Sequence, residues 1–250
     1  MPACLERSVS WTMHKLHVIT PVKDSVDTAL RTVGSIVDSE TTAELDYTIY
    51  NDFSTDETTA QLQSVADTRG ITLVNLKDIT SHPSPNYLLV LQIAQRRAVA
   101  ESAHLLIVES DVIVERDTIR RLYDYAATLD NPGMIAAVTT DGSRNVNFPY
   151  LYARKFAAGV IATRKRLSFC CTLLTLPYLS SFNFGELDPG KSWYDVSVSR
   201  KSVQLGFTNY LLTSLPVVHL PHSSRPWKQL KYTHPWKYWW NKLTENRDRI

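Results

Sequence analysis

Leu105-Leu106-Ile107-Val108-Glu109-Ser110-Asp111 is the stretch on which the fold turns. Four large aliphatics in a row, closed by two carboxylates one residue apart, predict a buried strand that ends in acid. Side chains alternate across a strand, so Glu109 and Asp111 are expected on one side of its carboxyl end. Two carboxylates converging there make a pair of hard oxygen ligands suited to magnesium or manganese. In open α/β sheets, ligands bind in the crevice outside such strand ends. The competing reading is that the pair only solvates a junction between strand and loop.

Before this strand, the chain alternates strand and helix signals. Leu16–Thr20 reads as a strand closed by Pro21, and Val26, Leu30, Val33 and Val37 then recur at helical spacing. Asp46–Tyr50 is the next strand. Ser54 followed by Glu57 is a capping-box pattern for a helix running to about Arg69, with Gly70 as its stop. Ile71–Leu76 reads as a third strand, and a helix from about Asn86 to Glu101 leads into Leu105. After it come a helix over about Asp117 to Leu129, with Ile119, Leu122, Tyr123 and Ala126 on one face, and a strand at Met134–Val138. This order predicts an α/β fold, a mostly parallel central sheet with helices on both faces. The second half is less regular. Strands are expected near Tyr152–Thr163, Tyr210–Leu212 and Leu215–Val218, and a helix near Tyr194–Leu205.

The 250 residues are 44% hydrophobic and 21% charged with a formal net charge of +2, which suits one full globular domain. So near-neutral a balance gives no argument for nucleic acid as a partner. Cys4, Cys170 and Cys171 offer no disulfide framework, so a reducing, cytoplasmic setting is expected. No apolar core with a cleavage site stands in the first twenty residues, and no apolar run reaches the ~20 residues of a membrane span.

Three further motifs gain meaning beside the carboxylate pair: Thr20-Pro21-Val22-Lys23-Asp24 after the first strand, Asn51-Asp52-Phe53-Ser54-Thr55-Asp56-Glu57-Thr58 after the second, and the late Trp193-Tyr194-Asp195, with Arg200, Gly206 and Val217-Val218-His219 beyond it. In this order and spacing the chain, from about Leu16 to His219, resembles glycosyltransferase family 2, whose catalytic domain has the GT-A fold. That family shows a strand ending in Pro-x-x-Asn, a strand with Asp-Asp-x-Ser-x-Asp-x-Thr, a metal-binding Asp-x-Asp and a late Glu-Asp. Here Asn51 replaces the first Asp of the second motif, Lys23 stands where an aromatic is common, and Asp24 stands for the Asn. Glu109-Ser110-Asp111 lengthens one arm of the metal motif, Gln95-Arg96-Arg97 replaces Ala-Arg-Asn, and Tyr194-Asp195 replaces Glu-Asp.

The resemblance implies a GT-A catalytic domain over residues 1–222. Residues 16–138 would form its Rossmann-like nucleotide-sugar half and 139–222 its less regular acceptor half, with 223–250 an appended segment. It implies an inverting, metal-dependent transfer of a sugar from a nucleoside-diphosphate sugar, a UDP-sugar favoured, to a glycan or lipid-linked acceptor in polysaccharide or glycolipid synthesis. Asp111 and Glu109 would hold manganese or magnesium, with His219 as a third ligand, although a lone His at a strand end is more often a structural hydrogen-bonder. Thr20, Pro21, Lys23, Asp52, Arg96, Arg97 and Ser110 would face the nucleotide sugar. Asp52 competes with a turn-forming role, and the arginines with a solvated helix face. Asp195 would be the general base, within about 3 Å of the acceptor hydroxyl; Glu186 and Asp188 are its rivals. His222 is a weaker metal candidate, and Cys170 and Cys171 read as core.

From about Ser223 the chain packs Trp227, Tyr232, Trp236, Tyr238, Trp239 and Trp240 among Arg225, Lys228, Lys231, Lys237 and Lys242. This segment either seats the protein at a membrane interface or packs against the acceptor half. Packing is favoured, since no clean amphipathic stripe stands out. Against the transferase stand a degenerate module that binds nucleotide sugar or glycan without turnover, and two other enzyme classes. A nucleotidyltransferase calls for a Gly-rich loop after the first strand, which here has no glycine. A haloacid-dehalogenase-type phosphatase would carry its Asp-x-Asp on that strand.

Overall fold

The computed structural model of the chain describes residues 15–220 and 234–244. The first fourteen residues with Cys4, His222, the boundary expected at residue 222, and Arg225, Trp227, Lys228, Lys231 and Tyr232 of the aromatic segment lie outside the described residues.

The elements run β1 (Lys15–Val22), α1 (Val26–Val37), β2 (Leu45–Asn51), α2 (Asp56–Arg69), β3 (Thr72–Asn75), α3 (Tyr87–Ala100), β4 (Ala103–Val108), β5 (Val112–Ile113), α4 (Thr118–Thr128) and β6 (Pro132–Thr140). They continue with β7 (Val160–Thr163), β8 (Cys171–Leu174), α5 (Leu176–Ser181), α6 (Tyr194–Gln204), β9 (Thr208–His219) and α7 (Pro235–Thr244). The strands form one nine-stranded sheet in the order β3-β2-β1-β4-β8-β6-β9-β5, with β7 on β9.

All six residues of β4 are buried, because helices cover both of its faces. The alternation is literal. Leu106 and Val108 pack in one apolar cluster with Val33 and Ile36 of α1, Leu62 of α2 and Leu122 of α4. Leu105 and Ile107 pack in the other, with Val90, Leu91 and Ala94 of α3, Tyr178 of α5 and Val198 of α6. From β1 to β3 the chain steps outward in parallel, then returns to lay β4 on the other side of β1, again parallel. That reversal opens a crevice beyond the carboxyl ends of β1 and β4, the place where such sheets bind ligands.

Beyond β4 the sheet turns mixed. β8 runs antiparallel to β4 and β6, while β6 and β9 are parallel. The region expected as a strand at Tyr152–Thr163 starts instead as a 3-10 turn over Leu151–Lys155, and only Val160–Thr163 pairs. The two late strands expected at Tyr210–Leu212 and Leu215–Val218 are one strand, β9, with an irregularity where the register jumps from Leu212 opposite Ala137 to Pro216 opposite Val138. The expected break marks this bulge. The cap of α2 also differs by one residue: Thr55, not Ser54, accepts the backbone N–H of Thr58, at 3.3 Å. Gly70 stops that helix in the left-handed conformation, as its lack of Cβ permits.

Tyr238 is buried, but Trp236, Trp239 and Trp240 are exposed. Among the described residues no helix is long and apolar enough to cross a membrane.

Candidate active site

The Glu109-Ser110-Asp111 motif sits where the sequence puts it, but a turn brings its carboxylates together rather than strand alternation. β4 stops at Val108, and the N–H of Val112 donates to the carbonyl of Glu109 at 3.1 Å, closing a tight turn over the motif. The short β5 that follows runs antiparallel to the end of β9, with Val112 opposite His219. The N–H of Leu220 donates to the carbonyl of Asp111 at 2.8 Å. This pairing delivers His219 to Asp111, and its Nε2 lies 3.3 Å from Asp111 Oδ2.

The imidazole is oriented from behind. His219 Nδ1 lies 2.9 Å from the carbonyl oxygen of Phe148, an atom that only accepts, so Nδ1 carries the hydrogen and Nε2 faces the carboxylate. Neighbouring Asn147 donates from Nδ2 to the carbonyl of His219 at 3.2 Å. Metal-binding histidines are held in this way, one nitrogen on a carbonyl and the other on the ion.

Burial first, then the charge of Asp111, push the Glu109 carboxyl up to about 7, against an opposing pull from His219. Burial disfavours charge on His219 as well, but the hydrogen bond and charge of Asp111, with the charge of Glu109, outweigh it and raise the ring above its ordinary value. A buried and a half-buried carboxylate with an oriented imidazole are donor types that suit a divalent transition metal. The residues present therefore fit a manganese-like cation.

Other groups close around this centre, and several escaped the sequence reading. Cys170 donates from Sγ to Glu109 Oε2 at 3.3 Å, and burial with the charges of Glu109 and Asp111 holds it as a thiol. Tyr87, the first residue of α3, has a buried hydroxyl with no hydrogen-bond partner among the described residues. Burial raises that phenol well above its usual value, and the charges of Glu109, Asp195, Cys170 and Asp111 add to the effect. The one available signal for Tyr87 was its place at the start of the helix that leads out of the crevice. Asp195 lies in the first turn of α6, close enough for its charge to raise Glu109. Its Oδ2 is 3.7 Å from Arg166 Nε, and Arg166 lies over the rings of Phe148 and Trp193 at 5.8 Å each. Glu186 and Asp188, its rivals in the sequence, are exposed.

The loops after β1 and β2 interlock. The N–H of Asp24 donates to Ser54 Oγ and the N–H of Thr55 to Asp24 Oδ1, both at 2.9 Å. Lys23 Nζ donates to the carbonyl of Phe53 and pairs with Asp24 at 3.3 Å. Asp24, Ser25 and Phe53 all take positive φ, at 53°, 52° and 56°. Three non-glycine residues in the left-handed region within two touching loops are a concentration of strain of the sort found at ligand sites. Thr20 is fully buried and accepts a hydrogen bond from the Tyr47 hydroxyl at 2.9 Å, and Ser110 is buried in the turn. Pro21 is half-buried one residue before the end of β1.

Three expected residues stand elsewhere in role or place. Asp52 is committed to the protein: its oxygens accept from Ser84 Oγ at 2.7 Å, the N–H of Asn86 at 2.9 Å and Asn86 Nδ2 at 2.8 Å. It thereby ties β2 to the start of α3. Arg97 is not brought to the crevice at all. The crevice end of α3 is its beginning, and Arg97 lies near its far end, on Asp46 Oδ2 at 2.6 Å and Glu101 Oε1 at 3.0 Å. Arg96, exposed beside it, is roughly 15 Å along the helix from Asn86. Helical geometry separates these arginines from a site at the other end of the same helix. At that far end His17, Asp46 and Glu101 bring ligand atoms within 4.8 Å of one another, which among the described residues Glu109, Asp111 and His219 do not, and Arg97 pairs with both carboxylates of the far group.

A family model described as "Glycosyl transferase family 2" matches residues 17–181. No curated protein sequence matches the chain. Among solved structures, the chain is similar to the mannosyltransferase PcManGT from Pyrobaculum calidifontis, in complex with GDP-Man and manganese, at 15% identity and a TM-score of 0.63 over 94% of this chain and 65% of that one. It is similar to GalNAc-T7 with UDP, GalNAc and manganese, at 11% identity and a TM-score of 0.63, over 86% and 45% of the two chains. It also matches Staphylococcus aureus TarS residues 1–349 at 18% identity and a TM-score of 0.60, over 82% and 60%. In each case this chain spans less than two thirds of the neighbour's length. Those likenesses bear on the fold, which is that of GT-A glycosyltransferases, and the family model bears on descent. With the carboxylate turn, the strand order and this match in hand, the chain belongs to glycosyl transferase family 2.

Proposed function

We propose that this chain is a metal-dependent inverting glycosyltransferase that moves a sugar from a nucleoside-diphosphate sugar to an acceptor hydroxyl. The observation that carries the reading is the contact of His219 with Asp111 beyond the carboxyl ends of β1 and β4, with Glu109 and Asp195 near enough to act on one another through their charges. Asp111, Glu109 and His219 would hold manganese or magnesium, which supplies positive charge against the diphosphate leaving group. The interlocked loops at Lys23–Ser25 and Phe53–Thr55 would seat the nucleoside, with Asp52 fixing their shape from below. Tyr87 would offer its hydroxyl to the donor. Asp195 accepts the proton of the acceptor hydroxyl as that oxygen attacks the anomeric carbon opposite the departing diphosphate, which inverts the centre. Arg166 positions Asp195. The acceptor is a glycan or a lipid-linked glycan.

Thermal unfolding with UDP, GDP, dTDP and CDP, each with and without manganese, tests the reading. The fold neighbours were captured with GDP-mannose and with UDP, so either nucleotide is a sensible donor class, and UDP is the one expected. A ligand at a hundredfold excess over its dissociation constant stabilises the native state by about 2.7 kcal/mol. A stabilisation by one nucleotide that needs manganese and vanishes in Asp111→Ala supports the transferase. Silence with every nucleotide would hand the site to a binding module without turnover.

A further inference from the structure

The helix α7 presents three indoles to solvent. Trp236, Trp239 and Trp240 are 89%, 55% and 69% exposed, while Tyr238 is 7% exposed. At about 100° per residue, positions 236, 239 and 240 fall within one arc of roughly 100°, and 238 lies on the opposite side. Single exposed apolar residues are ordinary, but three tryptophans on one helical face form a patch that calls for a partner. Indole combines a large apolar body with one N–H donor, which suits the boundary between lipid headgroups and acyl chains. Exposed Lys237 flanks the face.

Charge narrows the choice of partner. Residues 221–250 hold seven Lys and Arg against two Asp and Glu, in a chain whose formal net charge is only +2. The rest of the protein is therefore net negative, and the segment of sequence that carries the indoles is net positive. A second copy of this helix would meet like charge with like charge. A surface of anionic lipid is complementary to both the lysines and the indoles. A helix of ten residues is about 15 Å long, half of a bilayer core, so the fit is in the plane of the interface and not across it.

We propose that α7 is an interfacial anchor that seats this chain on a bilayer surface bearing anionic lipid, with the Trp236, Trp239 and Trp240 face in the headgroup region. The chain runs to α7 from β9, the strand that ends in His219, so the anchor is tethered to the edge of the candidate site. The inference is independent of sugar transfer and is tested without turnover.

The test is sedimentation of the whole chain with vesicles of phosphatidylcholine alone and of phosphatidylcholine mixed with phosphatidylglycerol. Binding to the mixed vesicles is expected, weakened by salt, with tryptophan emission quenched by brominated lipid. Partitioning should fall about tenfold or more in a Trp236→Ala, Trp239→Ala, Trp240→Ala variant. Lys237→Glu should lower it to a lesser degree. Unchanged circular dichroism and melting temperature would show that these variants fold. No binding to mixed vesicles at low salt overturns the proposal, as does equal binding by the tryptophan variant. Self-association that the variant abolishes, with no vesicle binding, would assign the face to a second copy instead.

Discussion

The two ends of the central strands carry the same three residue types in opposite electrical states. At the amino end, His17, Asp46 and Glu101 surround Arg97; the side chains of Asp46, Glu101 and Arg97 are a third or more exposed, and Arg97 pairs with both carboxylates. At the carboxyl end, His219 and Asp111 are buried and Glu109 is half-buried, and burial first, then the charge of Asp111, lifts Glu109 to about 7. A constellation laced to an arginine holds the fold together. One whose carboxyl is pushed up by burial and by a second carboxylate is of the kind found at functional sites. The difference lies in the environment of the residues and not in their identity.

The sharpest way to break this comparison is to remove one carboxylate at each end. Asp111→Ala should lower transfer by about a thousandfold or more and abolish manganese-dependent nucleotide binding, since it removes the ligand that His219 and the cation share. Asp46→Ala should leave turnover within about threefold and cost about 1 kcal/mol or less in stability, the ordinary value of a partly exposed pair. Comparable losses of activity from both would sink the distinction. Next in size, Asp195→Asn should reduce transfer by roughly a hundredfold to ten-thousandfold while nucleotide binding stays intact. Loss of binding along with turnover would move Asp195 from proton acceptor to donor-site ligand.

The two ends should also answer pH with opposite signs. Glu101 is held below the usual carboxylate range, chiefly by its hydrogen bond from Arg97 and against a smaller effect of burial. Its contribution to stability is present above the ordinary Glu value and is lost as pH falls through the lowered one. Glu109 is raised, so the folded state binds its proton more tightly than the unfolded chain does. The stability tied to Glu109 is full below the ordinary value and declines as pH rises toward about 7. Without metal, Glu109→Gln should therefore be more stable than the parent protein at pH 8, by roughly 3 kcal/mol at most. With manganese the order should reverse, because the ion binds the ionised carboxylate. Unfolding curves with and without manganese, at pH 5 and pH 8, check both signs. The smallest effect expected is at Tyr87. Tyr87→Phe removes a buried hydroxyl that lacks a partner, so stability should hold or rise by about 1 kcal/mol while turnover drops about tenfold. A loss of stability instead would make Tyr87 a structural residue.

What the sequence disclosed followed the length of its signals. The aliphatic run of β4 and the strand–helix alternation from Leu16 to Leu129 are long enough to show their period, and those elements form with small shifts at their ends. β5 has two residues and α5 six, too short for any period to register. β5 is the element that brings Asp111 to His219. The order of motifs named both residues, but their contact depends on a pairing between segments more than a hundred positions apart. The carboxylate pair was found through strand alternation, although a turn supplies the convergence. Arg97 was misplaced because a position on a helix says nothing of which end of the sheet that position reaches. Tyr87, Arg166 and Cys170 carry no motif, and only folding gathers them.

The bulge in β9 bears on how this protein tolerates changes in length. Between Leu212 and Pro216 the strand already departs from strict pairing with β6, and Thr213 and Ser214 bond to Gly159 instead, so a residue lost or gained there is taken up at those bonds and not in the β6 pairing. From Pro216 to His219 each residue has a fixed partner or face, and a single deletion would turn His219 to the opposite side of the sheet. The irregularity thus works as a slip joint. The strand can vary in length through evolution while the parity of its last four residues, and with it the aim of the imidazole at Asp111, stays constant.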